Sequence, residues 1–260
     1  MLKNQTISSV DGGTDPVYGV SAYDYERLDY TSNNARRNNT REDMIKIPLE
    51  DIRFVLLDMD GTLLDRYFDD YFWGHLLPEQ YAKKHHMTLG KAQEELMKQY
   101  RVHECTLSWT DLDFWSKKLD LDVPVLKEQI KHLIEVHPHV EDFLKMVKRQ
   151  RKRMFLVTNA HYKSIDLKLR KTRIGKYFNA VLSSFDVGYP KESLRFWEAA
   201  EHRLGFDRNT TLFVDDSEEI LKTARKYGIK YVVYKAKASS RIEPKKRKEF
   251  LSIFDFRELT

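Results

Sequence analysis

The chain has 260 residues, 41% of them apolar, with a single cysteine and a formal net charge of +5. This length holds one α/β domain with a small insertion; one cysteine excludes an internal disulfide and suits a reducing compartment; no apolar run reaches the roughly 18 residues of a membrane-spanning helix. The positive charge is spread along KMVKRQRKR, LKLRKTRIGK and EPKKRKEF, a pattern of solvated helix faces and a basic tail at 237–260 that attracts small phosphorylated molecules but does not make a specific nucleic-acid site.

Residues 1–50 read as a low-complexity N-terminal extension, in which Asp11 to Asn39 is rich in Asn, Asp, Gly, Ser, Thr and Tyr with almost no apolar periodicity; disorder or loose packing on the core is expected. Met1 to Val10 is polar, without the apolar centre of a secretory signal, so a cytoplasmic location is expected. The first core strand is expected from Ile52, and its apolar run Phe54 to Leu57 delivers Asp58 and Asp60 into Gly61 and Thr62. Charge at the end of a buried strand is costly, and like charges about 4 Å apart repel by roughly 4 kcal/mol at an effective dielectric of about 20, so a cation is expected between them.

From 66 to 136 the period turns helical, in YFDDYFWGHLLPEQYAKKH, GKAQEELMKQYRVHE and DLDFWSKKLDL, with apolar residues three and four apart. Phe72, Trp73, Trp109 and Trp115 suit the core of a small helical unit; stacking on a purine, worth about 1–3 kcal/mol per base in nucleic-acid binders, is the alternative use of such rings. Cys105 lies in this stretch away from any His/Asp partner and is read as structural. The histidines His85, His86, His137, His139 and His161 form no zinc pattern, and His161 is expected in a solvated loop.

A second apolar run, Met154 to Val157, ends in Thr158 and Asn159, a hydroxyl and an amide suited to phosphate oxygens or to holding a turn. Lys191 follows the turn Gly188-Tyr189-Pro190 and offers a compact positive charge. A third run, Leu212 to Val214, ends in Asp215 and Asp216, after which Ser217 is placed to cap an amphipathic helix. Singly, each cluster has an ordinary reading: Asp58 and Asp60 as turn residues, Gly61 as the residue that permits positive φ, Asp216-Ser217-Glu218 as a helix start, Lys191 as one of many lysines. Jointly they converge, because open parallel α/β sheets place ligands at the C-terminal ends of their strands.

The DxDGT signature at Asp58 to Thr62, Thr158 after its strand, Lys191 and the pair Asp215-Asp216, in this order over residues 51–235, resemble the haloacid dehalogenase superfamily of phosphohydrolases. The resemblance implies an α/β fold: a Rossmann-like parallel sheet over 51–65 and 137–236, with 66–136 inserted as an α-helical cap that closes over the site and selects the substrate. It implies Asp58 as the nucleophile forming an aspartyl-phosphate, and Asp60 as acid and then base. It also implies Thr158 and Lys191, with Asn159 beside them, as holders of the phosphoryl oxygens, and Mg²⁺ on Asp58, the Asp60 main-chain carbonyl, Asp215 and Asp216, the last directly or through water.

Asp60 distinguishes the chain from the superfamily's dehalogenases, which generally lack that second aspartate. The substrate class implied is a small-molecule phosphomonoester. Further likeness in FDDYFW, TLSWTDLDFW, LVTNAH and GYPKE to the superfamily's nucleotidases implies a purine nucleoside monophosphate. A sugar-phosphate phosphatase or phosphomutase stays open, as does a phosphate-ligand binding protein on the same scaffold; a binder needs no acid or base, which weighs against it. No membrane partner is expected, and oligomeric state is not legible.

Overall fold

The computed structural model describes residues 47–260; the disorder expected of the N-terminal stretch lies, up to residue 46, outside the described residues. Six strands form one parallel sheet in the order β3-β2-β1-β4-β5-β6: β1 Phe54–Leu57, β2 Arg153–Thr158, β3 Ala180–Ser183, β4 Thr211–Asp215, β5 Tyr231–Lys235 and β6 Leu251–Ile253. The first strand starts at Phe54, two residues after Ile52. Because side chains alternate across a pleated strand, the near-continuous apolar runs split between two buried layers. Val55, Leu57, Met154, Leu156, Leu212 and Val214 enter one layer, and Leu56, Phe155, Val157 and Phe213 the other. Full burial of each such side chain stabilises by roughly 1.5–3 kcal/mol, and the sheet is thereby covered on both faces.

The chain leaves the sheet after Leu64 and returns near Val136 through two linkers that pair with each other, Asp65 N–H donating to Glu135 O at 2.9 Å and His137 N–H to Leu63 O at 2.9 Å. Between them lie α1 Tyr67–Tyr71, a π-helical turn Phe72–Leu76, α2 Leu77–Lys84, α3 Leu89–His103, α4 Leu107–Thr110, α5 Leu112–Leu119 and α6 Val123–Gln129. The single helical run expected over 67–85 is thus broken by a π turn. Pro78 has no N–H for the Gly74 carbonyl one turn back, and that carbonyl accepts instead from Gln93 Nε2 at 3.2 Å. The N-termini of α3, α5 and α6 are capped by Thr88, Asp111 and Asp122, whose side-chain oxygens accept from Lys91 N, Asp113 N and Phe114 N, and Val125 N.

Phe72 and Trp115 are fully buried, with Trp73 and Trp109 half-buried against them; Tyr100 meets Trp115 edge-on at 5.2 Å and Trp109 at 5.9 Å. These rings are core, and their layer is continuous with one face of the sheet. After the second linker come α7 Val140–Arg149, α8 Tyr162–Thr172, α9 Ser184–Val187, α10 Leu194–Leu204 and α11 Glu218–Tyr227. Helices α7 and α8 cover the cap-side face of the sheet, and α10 and α11 the other.

The segment 237–260, expected as a basic tail outside the α/β core, contributes to it. Its β6 pairs with β5, and Phe256 and Leu259 are buried, Phe256 packing its ring 4.8 Å from Phe143 of α7. Three strand residues between charged stretches carry too little pattern to read, and only the free edge of β5 selects them.

Candidate active site

Strand β1 lies between β2 and β4 in register, Leu57 opposite Leu156 on one side and Val214 on the other. One residue later Asp58 and Asp215 emerge side by side, with Asp58 N–H donating to Val214 O at 3.1 Å. The chain then turns back sharply: Met59 O accepts from Leu63 N at 3.0 Å and Leu64 N at 2.8 Å, and Gly61 N–H donates to Leu64 O at 2.8 Å. Gly61 has φ +84°, and a Cβ there would stand 2.3 Å from Asp216 Oδ2. Both facts demand glycine. Gly61→Ala is expected to destabilise the fold by about 2 kcal/mol or more, read as a melting point lower by roughly 4–8 °C; an unchanged melting curve would show that Asp216 yields without cost.

Lys191 completes this group. Its ammonium, 1% exposed, lies 2.5 Å from Asp58 Oδ1 and 2.7 Å from Asp215 Oδ2, and donates also to Val157 O at 3.3 Å. The cation expected between Asp58 and Asp60 lies elsewhere: Lys191 bridges Asp58 to Asp215 on the neighbouring strand, while Asp60 turns away to the separate lysine Lys168. Asp216 is held by Arg66, whose Nη1 lies 3.1 Å from Asp216 Oδ2, while Arg66 Nε lies 3.3 Å from Asp70 Oδ1.

Burial and mutual repulsion act against the charged forms of all three carboxylates. Burial pushes Asp58 up to about 7 against the pull of Lys191, with Asp215 and Asp60 adding to the rise. The same cause raises Asp215 to about 6 and Asp216 to about 7. Although burial works to deprotonate Lys191, Asp215 and Asp58 hold its ammonium well above the ordinary lysine value. Asp58, Asp215 and Asp216 can each aim an oxygen so that all three lie within 4.8 Å of one another. An all-oxygen donor set of mutually repelling carboxylates, Asp58 and Asp215 buried and Asp216 half-buried, fits a hard divalent cation.

Thr158 is buried at the end of β2, its Oγ1 accepting from Ala160 N at 3.1 Å, which leaves the hydroxyl proton to donate. Asn159 spans the lysine loop: its Oδ1 accepts from Lys191 N at 2.9 Å and its Nδ2 donates to Glu192 Oε2 at 2.9 Å. Of the two uses expected for this amide, the structure shows the holding of a turn. Asp60 stands apart from the other carboxylates, its Oδ1 2.6 Å from Lys168 Nζ of α8.

Two expectations are corrected. His161 is not solvated but 3% exposed at the N-terminus of α8, its Nδ1 accepting from Lys163 N at 3.4 Å and its Nε2 3.6 Å from Asp111 and 3.8 Å from Asp113 of the cap. Burial lowers its pKa against the pull of those two carboxylates. The α5 cap helix that covers it is distant in sequence. Cys105 is exposed at a left-handed φ of 58°, so it packs no core. Sequence reasoning also missed Arg66, Asp69, Lys127 and Lys168, whose spacing matches that of solvated helix charges; nothing local marks them.

A doubly covered parallel sheet with a helical insertion after its first strand, an acidic pair at the end of each of two adjacent central strands, and one buried lysine joining Asp58 to Asp215 define the class of haloacid dehalogenase-like hydrolases. Residues 55–234 match that family, and the chain belongs to it. GMP/IMP nucleotidase YrfG of Escherichia coli strain K12 is 38% identical over 215 residues, 83% of this chain and 97% of that protein. The phosphorylated carbohydrates phosphatase of Thermotoga maritima is 23% identical over 190 residues, 68% of this chain and 82% of that protein. A HAD phosphatase from Thermococcus onnurineus shares the fold, with a TM-score of 0.68 at 22% identity, covering 80% of this chain and 96% of that one. The protein is an enzyme, a phosphohydrolase of this superfamily.

Proposed function

We propose that the protein is a Mg²⁺-dependent 5′-nucleotidase that hydrolyses purine nucleoside monophosphates, GMP and IMP first, to nucleoside and phosphate. The substrate reading rests on the 38% identity with a GMP/IMP nucleotidase along nearly the whole of that protein. The mechanism rests on one observation: Lys191 bridges Asp58 and Asp215 at the ends of adjacent central strands.

In this reading Asp58 attacks phosphorus through a carboxylate oxygen as the ester P–O bond breaks, and Asp60 delivers a proton to the departing 5′ oxygen. Water then attacks the aspartyl-phosphate, giving its proton to Asp60 and freeing Asp58 and inorganic phosphate. Lys191 and the Thr158 hydroxyl hold the phosphoryl oxygens, where donors fixed in advance stabilise developing charge without reorganising. Asn159 keeps Lys191 in place through its main-chain N–H. Asp58, the Asp60 main-chain carbonyl, Asp215 and Asp216 would hold Mg²⁺, which when bound offsets their repulsion and polarises the phosphate. The helices at 66–136 form the cap that closes over the ester and excludes water.

Among the described residues no helix is long and apolar enough to cross a membrane, and we place the enzyme in the cytoplasm. The experiment is phosphate release from GMP, IMP, AMP and a set of sugar phosphates, with Mg²⁺ and with EDTA. Release from GMP and IMP at least about tenfold above the sugar phosphates, abolished by EDTA, is the expected result. Preference for a sugar phosphate would keep the chemistry and replace the substrate; binding of GMP without release from any ester would replace catalysis by binding.

A further inference from the structure

The side chain of Asp60 belongs to a line of alternating charge that runs from the site into the cap, its two lysines buried and its carboxylates, Asp60 and Asp69, 25% and 19% exposed. Lys168 Nζ of α8 lies 2.6 Å from Asp60 Oδ1 and 2.6 Å from Asp69 Oδ2 of α1. The other oxygen of Asp69, Oδ1, lies 2.8 Å from Lys127 Nζ of α6. Both lysine side chains are 2% exposed, and Lys127 is packed over the rings of Phe72 at 4.4 Å and Phe68 at 4.9 Å. Two carboxylates face two ammonium groups, so the line is balanced.

Stability alone is a poor reason for such an arrangement. Desolvating each ammonium costs several kcal/mol, which ion pairing in the interior returns at best approximately, and apolar side chains of similar size serve the fold as well. What the line achieves is geometric. Lys168 is clasped between two carboxylates, which removes its freedom, and with one oxygen of Asp60 fixed to it, the second oxygen is left to exchange the proton. Asp69 and Lys127 come from the cap, whereas Lys168 and Asp60 come from the sheet side, so the clasp closes only when α1 and α6 are seated on α8.

We propose that Lys168 is the positioning residue for Asp60, and that Asp69 with Lys127 makes this positioning conditional on the seating of the helical cap. The inference rests on the phosphomonoesterase reading above. It predicts that the loss of Lys168 harms departure of an oxygen leaving group, which needs a proton, and spares departure of a thiolate, which does not.

The test compares IMP with its analogue carrying sulfur at the bridging 5′ position, which has the same base and phosphoryl group but a thiolate that leaves unprotonated. Lys168→Met is expected to slow the single-turnover release of nucleoside from IMP, the step in which Asp60 gives its proton, by about 10²–10³-fold, with less than about a tenfold loss in thiol release from the sulfur analogue and half-saturation within about threefold. Lys168→Gln, which keeps a donor for Asp60, is expected to recover about tenfold on IMP. The charge-balanced double variant Asp69→Asn with Lys127→Met is expected to show the same split at about tenfold. Thermal melting checks the fold of each; should Lys168→Met not fold, the other two variants decide. Equal losses on both substrates, or none on either, would overturn the inference and leave the phosphatase reading standing. A wild type that releases phosphate from neither would overturn the nucleotidase reading and this one together.

Discussion

Asp58→Asn is expected to abolish phosphate release, by at least about 10⁴-fold in kcat, while the protein stays folded. The amide keeps an oxygen to accept from Lys191, so the contact at 2.5 Å loses its charge but not its shape. It cannot form the acyl-phosphate, because an amide oxygen is a far weaker nucleophile than a carboxylate. No stability is lost for removing that charge, since burial, Asp215 and Asp60 already act against it; the melting point is expected within a few degrees of the wild type. Phosphate release assayed beside a melting curve separates the outcomes. A folded Asp58→Asn protein that turns over at near-normal rate would remove Asp58 from the nucleophilic role, and the proposed mechanism with it.

Lys191→Met is expected to damage both activity and fold. Removing the ammonium leaves Asp58 and Asp215, 6% and 1% exposed, as adjacent buried carboxylates without their cation. Breaking a buried pair by removing one partner costs about 3–5 kcal/mol, which for a domain of this size lowers the melting point by roughly 6–20 °C. Loss of a fixed donor to the phosphoryl group takes about 10²–10³-fold from kcat.

The pH dependence of the instability has a definite sign. Both carboxyls are raised in the folded state above the ordinary value of 3.8, Asp58 to about 7 and Asp215 to about 6, and without Lys191 they rise further. Between about pH 4 and 7 the folded protein therefore binds more protons than the unfolded one, so stability falls as pH rises through that window. The penalty of Lys191→Met is expected to be small at pH 5 and larger at pH 8, and to shrink at pH 8 on adding Mg²⁺. Melting curves of wild type and variant at the two pH values, with and without the metal, check this; a penalty independent of pH would mean that Lys191 serves packing and not charge.

The residues legible in the chain are those whose chemistry is written into a short window. Asp58, Asp60 and Gly61 follow an apolar run directly, Asp215 and Asp216 do the same, and Thr158 closes a third run. In each case one segment of ten or so residues contains both the strand and the side chain it delivers. The pattern of the six-residue β2 and five-residue β4 was equally plain. The three residues of β6 were not, since their strand character depends on β5 offering an edge.

By itself the sequence determined that three buried strands end in carboxylates and a hydroxyl, that a helical insertion separates the first from the rest, and that a lysine loop follows. It did so because a strand's period and its terminal residues are local properties, carried in consecutive positions. Only the tertiary structure decided which charges meet. Asp60, Asp69, Lys127 and Lys168 come from four separate segments, and the last three each alone resemble a solvated surface charge. The pairing of Arg66 with Asp216 joins the linker into the cap to the end of β4 across 150 residues. Likewise His161 is buried beneath Asp111 and Asp113 of the cap, and Cys105 lies exposed. Burial and Coulomb energy depend on distance in space, and packing of the cap on the sheet sets that distance without regard to separation along the chain.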